Sequence, residues 1–493
     1  MFEYLKNESD MTRTENGGAA YSTTGSDCLD LFATVGGLRR ADESEIISCF
    51  TRAYVEDPDT AMKLIFFARD VRGGLGERRV FRTALRWLAF NKPESVRKNL
   101  RFVAEYGRFD DLLSLVGTPC EDDALSLVRS QLENDLASLG DGKSVSLLAK
   151  WLPSVNATSD ETKKLGKRVA RALGMTDAGY RKTLSALRAK IRIIENDLRT
   201  KNYTFDYEKQ PSRALFKYRQ AFRRNDLERY NAFIKAASKG EKKLHADNVA
   251  PYELVEPYLR EQSDNSFMKD VTPEEAETLN ATWASMPDFG GDGNALAVID
   301  TSGSMYWSAS PLPAAVALSL GLYFAERNKG AFRNTFIEFS DRPQLIEIKG
   351  DTFADRLRYV ASFNEIASTD LESVFALILS AAVRNSVSQA ELPAKLVVIS
   401  DMEFNSCVGN ADETVFNSAR AAFAEHGYKL PEVVFWNVAS RNRQLPVKQN
   451  EQGVALVSGV TPRLFGMIAG GGLSPLKFMT EVLESERYAV IAA

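Results

Sequence analysis

The sequence predicts a protein of the α + α/β class, in which an all-helical region precedes a region of alternating strands and helices. Two observations predict this division. Over residues 43–256, apolar side chains recur every three or four positions, as at Leu184, Leu187 and Ile191, which is typical of amphipathic helices that bury one face. Over residues 293–493, short apolar runs alternate with helical stretches, which is typical of a mostly parallel sheet covered by helices.

Length and composition narrow the class of protein. A chain of 493 residues, 44% hydrophobic and 26% charged, has the length of two or three domains and the composition of a soluble globular protein. The four cysteines are scattered, with no Cys-x-x-Cys pair, which predicts free thiols rather than zinc ligands or disulfides. No apolar run reaches the roughly 18 residues of a membrane span, and residues 1–10 lack the core of a signal peptide. We therefore expect a cytoplasmic protein that does not bind a membrane.

The net charge of −4 conceals two basic regions. Residues 61–110 contain 12 Lys and Arg against 5 Asp and Glu, and residues 161–243 contain 23 against 9. The remaining segments are therefore acidic. A basic region inside a mildly acidic protein predicts a polyanionic partner.

The chain begins with a segment that is poor in large apolar residues. Residues 12–30 are rich in Gly, Ser and Thr, which predicts a loop or an extended arm, and the first helix is expected to begin near Leu29. Within the arm, residues 21–25 either bind phosphate through backbone amides or form a capping loop. The helices of residues 43–256 are joined by short polar links, which favours a helical-repeat arrangement, although no clean sequence repeat is present.

Three basic stretches of the helical region are candidates for binding phosphates. In residues 68–79, ARDVRGGLGERR, glycines interrupt the helical pattern among arginines; this predicts either a phosphate cradle or a tight turn with solvated arginines. In residues 213–224, aromatic residues alternate with basic ones, so the rings either stack on bases or pack in the core. Residues 163–171 form the third stretch. The candidate RNA-binding residues are Arg69, Arg72, Arg78, Arg79, Lys163, Lys164, Lys167, Arg168, Arg171, Arg223 and Arg224.

A proline-rich junction, residues 257–292, leads to the stretch ALAVIDTSGS. Its apolar part predicts a buried strand that ends at Asp300, and ligands bind at the carboxyl ends of such strands. Asp300, Ser302 and Ser304 offer only oxygen atoms, which suits a hard cation. The alternative is a helix cap without a metal. Lys395–Asp401 is a second predicted buried strand that ends in a carboxylate.

The Asp-x-Ser-x-Ser spacing resembles the metal-ion-dependent adhesion site of von Willebrand factor type A domains. That site also uses a Thr and an Asp from later loops, and Thr369 and Asp401 match them in order. The resemblance implies a divalent cation, Mg²⁺ first with Ca²⁺ or Mn²⁺ as alternatives, bound by Asp300, Ser302, Ser304, Thr369 and Asp401. It further implies an open coordination position that a carboxylate of a protein partner fills.

The layout as a whole resembles the Ro ribonucleoprotein group, in which a TROVE domain precedes a type A domain. The segments TENGGAAYSTTGSDCLDLFATVG and RDVRGGLGERR resemble more closely a related family of largely uncharacterised proteins with the same layout. The resemblance implies an N-terminal arm (1–42), a HEAT-like or TROVE-like helical domain (43–256), the junction (257–292) and a doubly wound type A domain (293–493).

The resemblance implies an RNA-binding ribonucleoprotein scaffold whose partner is a small non-coding or single-stranded RNA. The alternative is a metal-dependent protein–protein interaction module without RNA. We do not expect an enzyme, because the sequence presents no nucleophile with a recognisable base.

Overall fold

The computed structural model describes residues 1–191, 193–259, 268–290, 294–306, 310–339, 342–363, 369–407, 412–439, 442–468 and 472–493, with only the backbone for residues 2–4 and 7. Parts of the predicted junction, residues 260–267 and 291–292, lie outside these ranges. The chain forms two compact units. We call Met1–Leu64 with Ile234–Arg487 the sheet unit, and Ile65–Phe233 with Tyr488–Ala493 the helical unit. In this division residues 43–64 and 234–256, which are predicted as part of the helical domain, belong to the sheet unit.

Helices account for most of the regular structure. Several begin at a Ser, Thr or Asp whose side chain accepts a backbone N–H of the first turn, as Ser159 and Thr272 do. The α-helices are Phe2–Asp10, Asp27–Thr34, Glu43–Glu56, Pro58–Arg69, Arg78–Asn91, Pro93–Asn99, Val103–Tyr106, Phe109–Leu112, Glu121–Gly140, Leu148–Trp151, Asp160–Ala172, Asp177–Ile191, Ile194–Arg199, Ser212–Asn225, Leu227–Ser238, Pro251–Val255, Pro273–Ala284, Pro313–Arg327, Phe353–Ala361, Leu371–Asn385, Val415–Glu425, Phe465–Ile468 and Pro475–Leu483.

The described residues of the helical unit contain helices, turns and loops but no strand, as the apolar periodicity predicts. Its interior is organised around the fully buried carboxylate of Asp111. This carboxylate accepts the Nε–H of Arg69 at 2.7 Å, the Nε–H of Arg82 at 2.6 Å and the backbone N–H of Arg108 at 2.9 Å. A side chain at Gly107 would place its Cβ 2.3 Å from Asp111 Oδ2, so this network requires glycine there.

The sheet unit contains a six-stranded sheet of order β5-β4-β3-β6-β7-β8. All neighbours are parallel except β4 and β5. Val, Ile and Leu fill the central strands because both faces of the sheet are buried. The strand order reverses between β3 and β6. The strands are β3 Ala295–Asp300, β4 Thr335–Phe339, β5 Gln344–Glu347, β6 Lys395–Ser400, β7 Glu432–Asn437 and β8 Val454–Ser458, preceded in the chain by β1 Met11–Arg13 and β2 Ala19–Tyr21.

The N-terminal arm is a short antiparallel hairpin of β1 and β2, where the sequence predicts a loop or an extended arm. Strands of three residues give too little alternation to be recognised as strands. The hairpin is tied to a late part of the chain, because Tyr21 and Leu445 exchange backbone hydrogen bonds of 2.8 Å in both directions. The first helix of the chain is Phe2–Asp10, before the hairpin, and not one that begins near Leu29 as predicted. The next helix begins at Asp27, and the Ser26 hydroxyl accepts the N–H of Leu29, so the segment between the hairpin and this helix is a capping loop.

The four cysteines are all free and buried, as predicted. Within the described residues, no helix combines the length and the apolar character that crossing a membrane requires.

The Asp111 network makes a prediction about stability. Asp111→Ala should lower the free energy of unfolding of the helical unit by about 3–5 kcal/mol, because it leaves the buried Arg69 guanidinium without its carboxylate. Urea unfolding followed by circular dichroism measures the change. The control is Asp123→Ala, which removes a surface ion pair with Arg97 and should leave the midpoint nearly unchanged. Equal shifts in the two variants would contradict the central role of Asp111.

Candidate functional site

Two buried aspartates lie at the crevice where the strand order of the sheet reverses. Asp300 is the last residue of β3, and Asp401 directly follows β6. Because β3 and β6 are parallel neighbours, with Ile299 paired to Ile399, their carboxyl ends meet at one edge. In open α/β sheets, ligands bind at such an edge. Asp300 is 0% exposed and Asp401 is 1% exposed.

Hydrogen bonds orient the Asp300 carboxylate. Its Oδ1 accepts the backbone N–H of Ser302 at 2.9 Å, and its Oδ2 accepts the hydroxyl of Ser400 at 2.5 Å. Burial, and then the charge of Asp401, raise the pKa of Asp300 to about 7. The two carboxylates therefore repel each other, and a divalent cation between them would offset that repulsion.

Hydroxyl groups complete the predicted set of ligands. The Ser302 and Ser304 hydroxyl oxygens are 3.1 Å apart, in the loop after β3. Thr369 is buried and precedes the helix Leu371–Asn385, and its carbonyl accepts the N–H of Asn405, in the loop after β6, at 3.0 Å. The structure thus places the five predicted cation ligands on three loops at one edge of the sheet.

The chemistry of this set fits a hard cation. Two carboxylates and three hydroxyls offer only oxygen atoms, the ligands that Mg²⁺ and Ca²⁺ prefer. Among the residues that the structure describes, no three His, Cys, Asp and Glu side chains are grouped so as to hold a metal ion, so a cation at this position would need the hydroxyls as well as the two carboxylates. Asp300 precedes the 3₁₀ turn Gly303–Tyr306, and the bond from the Ser302 N–H to its Oδ1 is of the kind that caps a turn.

Sequence reasoning missed two residues that brace the site. The Asn16 side chain, in the turn of the N-terminal hairpin, donates from Nδ2 to Thr369 Oγ1 at 3.3 Å and to the carbonyl of Glu403 at 2.5 Å. Glu403 is fully buried and receives the backbone N–H of Glu15 at 2.7 Å. The only local signals were the Asn-Gly turn and the acidic residue that follows Asp401 by two positions.

The Glu403 carboxylate joins the hairpin to a third segment of the chain. Its Oε1 accepts the side-chain amides of Asn442 at 2.9 Å and Gln444 at 2.6 Å. Hydrogen bonds to an ionised acceptor are stronger than those between neutral groups. The carboxylate therefore holds the hairpin turn in place beside Thr369.

The hairpin also packs closely against the loop after β6. Thr14 donates its hydroxyl to the carbonyl of Phe404 at 2.5 Å. At Gly18, a Cβ would lie 2.4 Å from the Phe404 carbonyl oxygen and 2.7 Å from that of Asn405. Glycine is required at position 18 by the approach of two backbones, and at position 17 it is favoured by a φ of +85°.

The predicted RNA-binding residues include buried, half-buried and exposed side chains. Arg69 is 2% exposed and paired to Asp111, so its guanidinium cannot reach a phosphate. The prediction that Arg69 binds RNA is therefore wrong, and its role is structural. Lys163, Lys167 and Arg223 are half-buried. The exposed members are Arg72, Arg78, Arg79, Lys164, Arg168, Arg171 and Arg224.

Local acids pair with part of this basic surface. Lys163 lies 2.9 Å from Asp160, Lys167 lies 3.8 Å from Asp177, and Arg168 binds Glu121. These ion pairs reduce the charge that the stretch 163–171 presents to a polyanion.

In the glycine-rich turn after Arg69, several backbone N–H groups already donate hydrogen bonds to carbonyls of the protein. The N–H of Val71 donates to Tyr106, that of Leu75 to Phe67 and that of Glu77 to Ala68. At Gly74 a Cβ would lie 1.9 Å from the Phe67 carbonyl oxygen. These contacts favour the tight-turn interpretation over the phosphate cradle.

The aromatic residues of the stretch 213–224 are mainly core residues. Phe216 is 6% exposed and Phe222 is fully buried. Phe222 packs against Tyr207 and Tyr230, with ring centroids 5.2 and 5.4 Å apart. Stacking on bases is therefore not available to these two rings.

Two family models match the chain. A domain of unknown function, DUF2828, matches residues 14–130 and 123–288, which together exceed half of the chain, and a second domain of unknown function, DUF7788, matches residues 294–480. The uncharacterised protein L728 of Acanthamoeba polyphaga mimivirus is 29% identical over 509 residues, with 96% of this chain and 87% of that protein covered. The crystal structure of the Ro (RSR) protein of Deinococcus radiodurans is similar over 94% of this chain and 100% of that chain, at 13% identity and a TM-score of 0.42. The matched families have no stated function, so the TROVE and type A assignments remain predictions.

The packing at Gly18 makes a prediction about the hairpin. Gly18→Ala should loosen the hairpin by about 1–3 kcal/mol, because the new Cβ meets backbone atoms that cannot rotate away. Hydrogen exchange at the Tyr21 and Leu445 amides should then accelerate by about five- to 140-fold, since 1.4 kcal/mol corresponds to a factor of ten.

The matched control is Gly140→Ala, where the added Cβ meets nothing within 4 Å. It should leave exchange at both amides unchanged. Unchanged protection in Gly18→Ala would show that the hairpin does not depend on this close approach.

Proposed function

We propose a function for this chain from the premise that it belongs to the family of proteins defined by the domain of unknown function DUF2828. Its sheet unit binds a divalent cation, Mg²⁺ first with Ca²⁺ or Mn²⁺ as alternatives, and uses the cation to hold a carboxylate of a protein partner. The ligands are Asp300, Ser302, Ser304, Thr369 and Asp401. The observation that carries the proposal is the pair of buried aspartates on adjacent strands at the point where the strand order reverses.

Electrostatics supports a cation at this position. Two carboxylates are removed from water, and Asp401 disfavours the ionised form of Asp300. A buried charge is stable only when it is paired or coordinates a metal. A divalent cation would neutralise both carboxylates at once, while the three neutral hydroxyls would complete its coordination without adding charge.

The proposal is for binding and not for catalysis. The hydroxyls of Ser302 and Ser304 contact each other and serve as neutral oxygen ligands. An adhesion site of this kind leaves one coordination position for the partner, and an acidic side chain is the natural group to fill it. The partner is therefore a protein with an exposed Asp or Glu.

Removal of a ligand tests the cation site. Millimolar Mg²⁺ should raise the melting temperature of the parent protein, since a ligand that binds only the folded state stabilises it by about 2.7 kcal/mol at a hundredfold excess over Kd. Asp300→Ala should abolish this shift because it removes one of the two carboxylates. Differential scanning calorimetry with and without Mg²⁺ measures it.

Asp247→Ala is the control, since Asp247 is an exposed acid of the same unit; its Mg²⁺-dependent shift should equal that of the parent. If Asp300→Ala keeps the parental shift, the site is misassigned.

We infer a second activity for the helical unit, the binding of RNA through phosphates. The specific observation is the excess of basic residues, 19 against 8 acidic ones over residues 161–233 of this unit. Exposed cations of the unit include Arg72, Arg78, Lys164 and Arg171. Charge of this kind favours a polyanion without reading its sequence. Together the two activities describe a cytoplasmic ribonucleoprotein scaffold that binds small non-coding or single-stranded RNA through one unit and a partner through the other.

The salt dependence of RNA binding tests this second activity. The logarithm of the affinity for a short single-stranded RNA should fall with the logarithm of the salt concentration, with a slope of about −0.7 for each phosphate contacted. The double variant Arg78→Ala, Arg79→Ala should weaken binding and flatten the slope. Fluorescence anisotropy at several salt concentrations measures both.

Arg97→Ala removes a surface arginine already engaged by Glu94 and Asp123 and should bind as the parent does. Asp300→Ala should also leave RNA binding unchanged. A folded, nucleic-acid-free preparation that binds no RNA at low salt would rule out this activity and leave the cation-dependent module alone.

A further inference from the structure

We propose that a groove in the helical unit is a subsite for one nucleotide of a single-stranded RNA, which rests on the proposed RNA binding and names the group that is recognised. The groove has a volume of about 520 Å³. The residues that line it include Arg82, Trp151, Asn156, Thr158 and Thr162. All of these residues belong to the helical unit.

The groove presents an aromatic ring in a fixed orientation. The guanidinium carbon of Arg108 lies 3.9 Å from the ring centroid of Trp151 and covers one face of the indole. Arg108 is in turn held by Asp110, through Nε at 3.0 Å and Nη2 at 2.8 Å. The indole is only half-buried and lines the groove. A fixed, partly exposed ring is the surface on which a planar base stacks.

Basic side chains supply a site for a phosphate at the edge of the groove. Arg82 is already engaged by Asp110 and Asp111. Arg78 precedes Arg82 by one helical turn, so the two lie on the same face of the helix Arg78–Asn91. Arg78 is exposed and makes no ion pair within the described part of the chain.

The charge balance of this cluster favours an anion. Arg69, Arg78, Arg82 and Arg108 surround the carboxylates of Asp110 and Asp111, so positive groups exceed negative ones by two. Partial desolvation of its guanidinium, and then the neighbouring cations Arg108 and Arg82, lower the pKa of Arg78. A phosphate beside Arg78 would therefore complete the network through charge-assisted hydrogen bonds.

Polar side chains that line the same groove can bond to the edge of a base. The side chains of Asn156, Thr158 and Thr162 make no hydrogen bond to another residue that the structure describes. They offer both donors and acceptors. The indole ring thus matches the face of a base, the polar side chains match its edge, and the guanidinium of Arg78 matches the phosphate. A base that is paired in a duplex could not enter the groove.

The test compares two labelled oligomers of equal length and charge, oligo(U) and an abasic ribose-phosphate chain, by fluorescence anisotropy at low salt. The parent protein should bind oligo(U) about tenfold more tightly than the abasic chain. Trp151→Ala should remove this difference but still bind the abasic chain as the parent does. Arg78→Ala should weaken the binding of both oligomers.

Two control variants separate these effects from general damage. Trp87→Ala removes an indole that does not line the groove, and Arg181→Ala removes an exposed charge elsewhere in the unit; both should bind the two oligomers as the parent does. If Trp151→Ala is found to melt early, the double variant Asn156→Ala, Thr158→Ala replaces it and should reduce the preference for oligo(U) by about threefold.

The outcomes distinguish the subsite from the RNA activity itself. If the parent binds neither oligomer, RNA binding fails and the subsite with it. If the parent prefers oligo(U) and Trp151→Ala keeps that preference, RNA binding stands and the groove is not where the base is held. Loss of the preference with the abasic affinity unchanged supports the assignment.

Discussion

The parallel strands β3 and β6 are neighbours, and each delivers an aspartate to the crevice between them. Both carboxylates are buried, so hydrogen bonds from the surrounding loops must compensate their charge. The amide of Ser302 and the hydroxyl of Ser400 do so in part for Asp300. The loops that follow, and the hairpin that packs on them, are arranged around this requirement. The candidate cation site is thus a consequence of the strand order.

The helical unit meets the same requirement in a different way. Asp111 is as deeply buried as Asp300, but two guanidinium groups, those of Arg69 and Arg82, pair with it directly. A buried carboxylate that carries its own cations is a structural element, since loss of either partner leaves an uncompensated charge. The buried pair Asp300 and Asp401 is held by hydroxyl and amide donors, and among the residues that the structure describes no cationic side chain pairs with Asp300, which is why we propose a cation there. The two buried groups therefore differ in their cationic partners and not in their burial: the Asp111 network contains arginines, whereas we propose a bound cation for the Asp300–Asp401 site.

The sequence predicts the strands β3 and β6 and the edge at which their aspartates lie, because apolar runs that end in a carboxylate are local patterns. It does not predict the role of Asn16, whose partner Thr369 is 353 residues away, or of Glu403. Nor does it reveal the burial of Arg69. A count of charges does not distinguish buried from exposed arginines, and the partner of Arg69, Asp111, is 42 positions later in the chain. Contacts between distant segments leave no periodicity in the chain.

The pairing of Tyr21 with Leu445 spans 424 positions, and this has a consequence for biosynthesis. The first strands of the chain leave the ribosome long before their partner segment is made. At roughly 5–20 residues per second, the delay is on the order of 20 to 90 seconds. During that interval the edge of the hairpin that later bonds to Leu445 has unfilled donors and acceptors, which other chains could pair with. Its short strands and its glycines limit that risk, so the features that hide the hairpin from sequence analysis also protect the nascent chain.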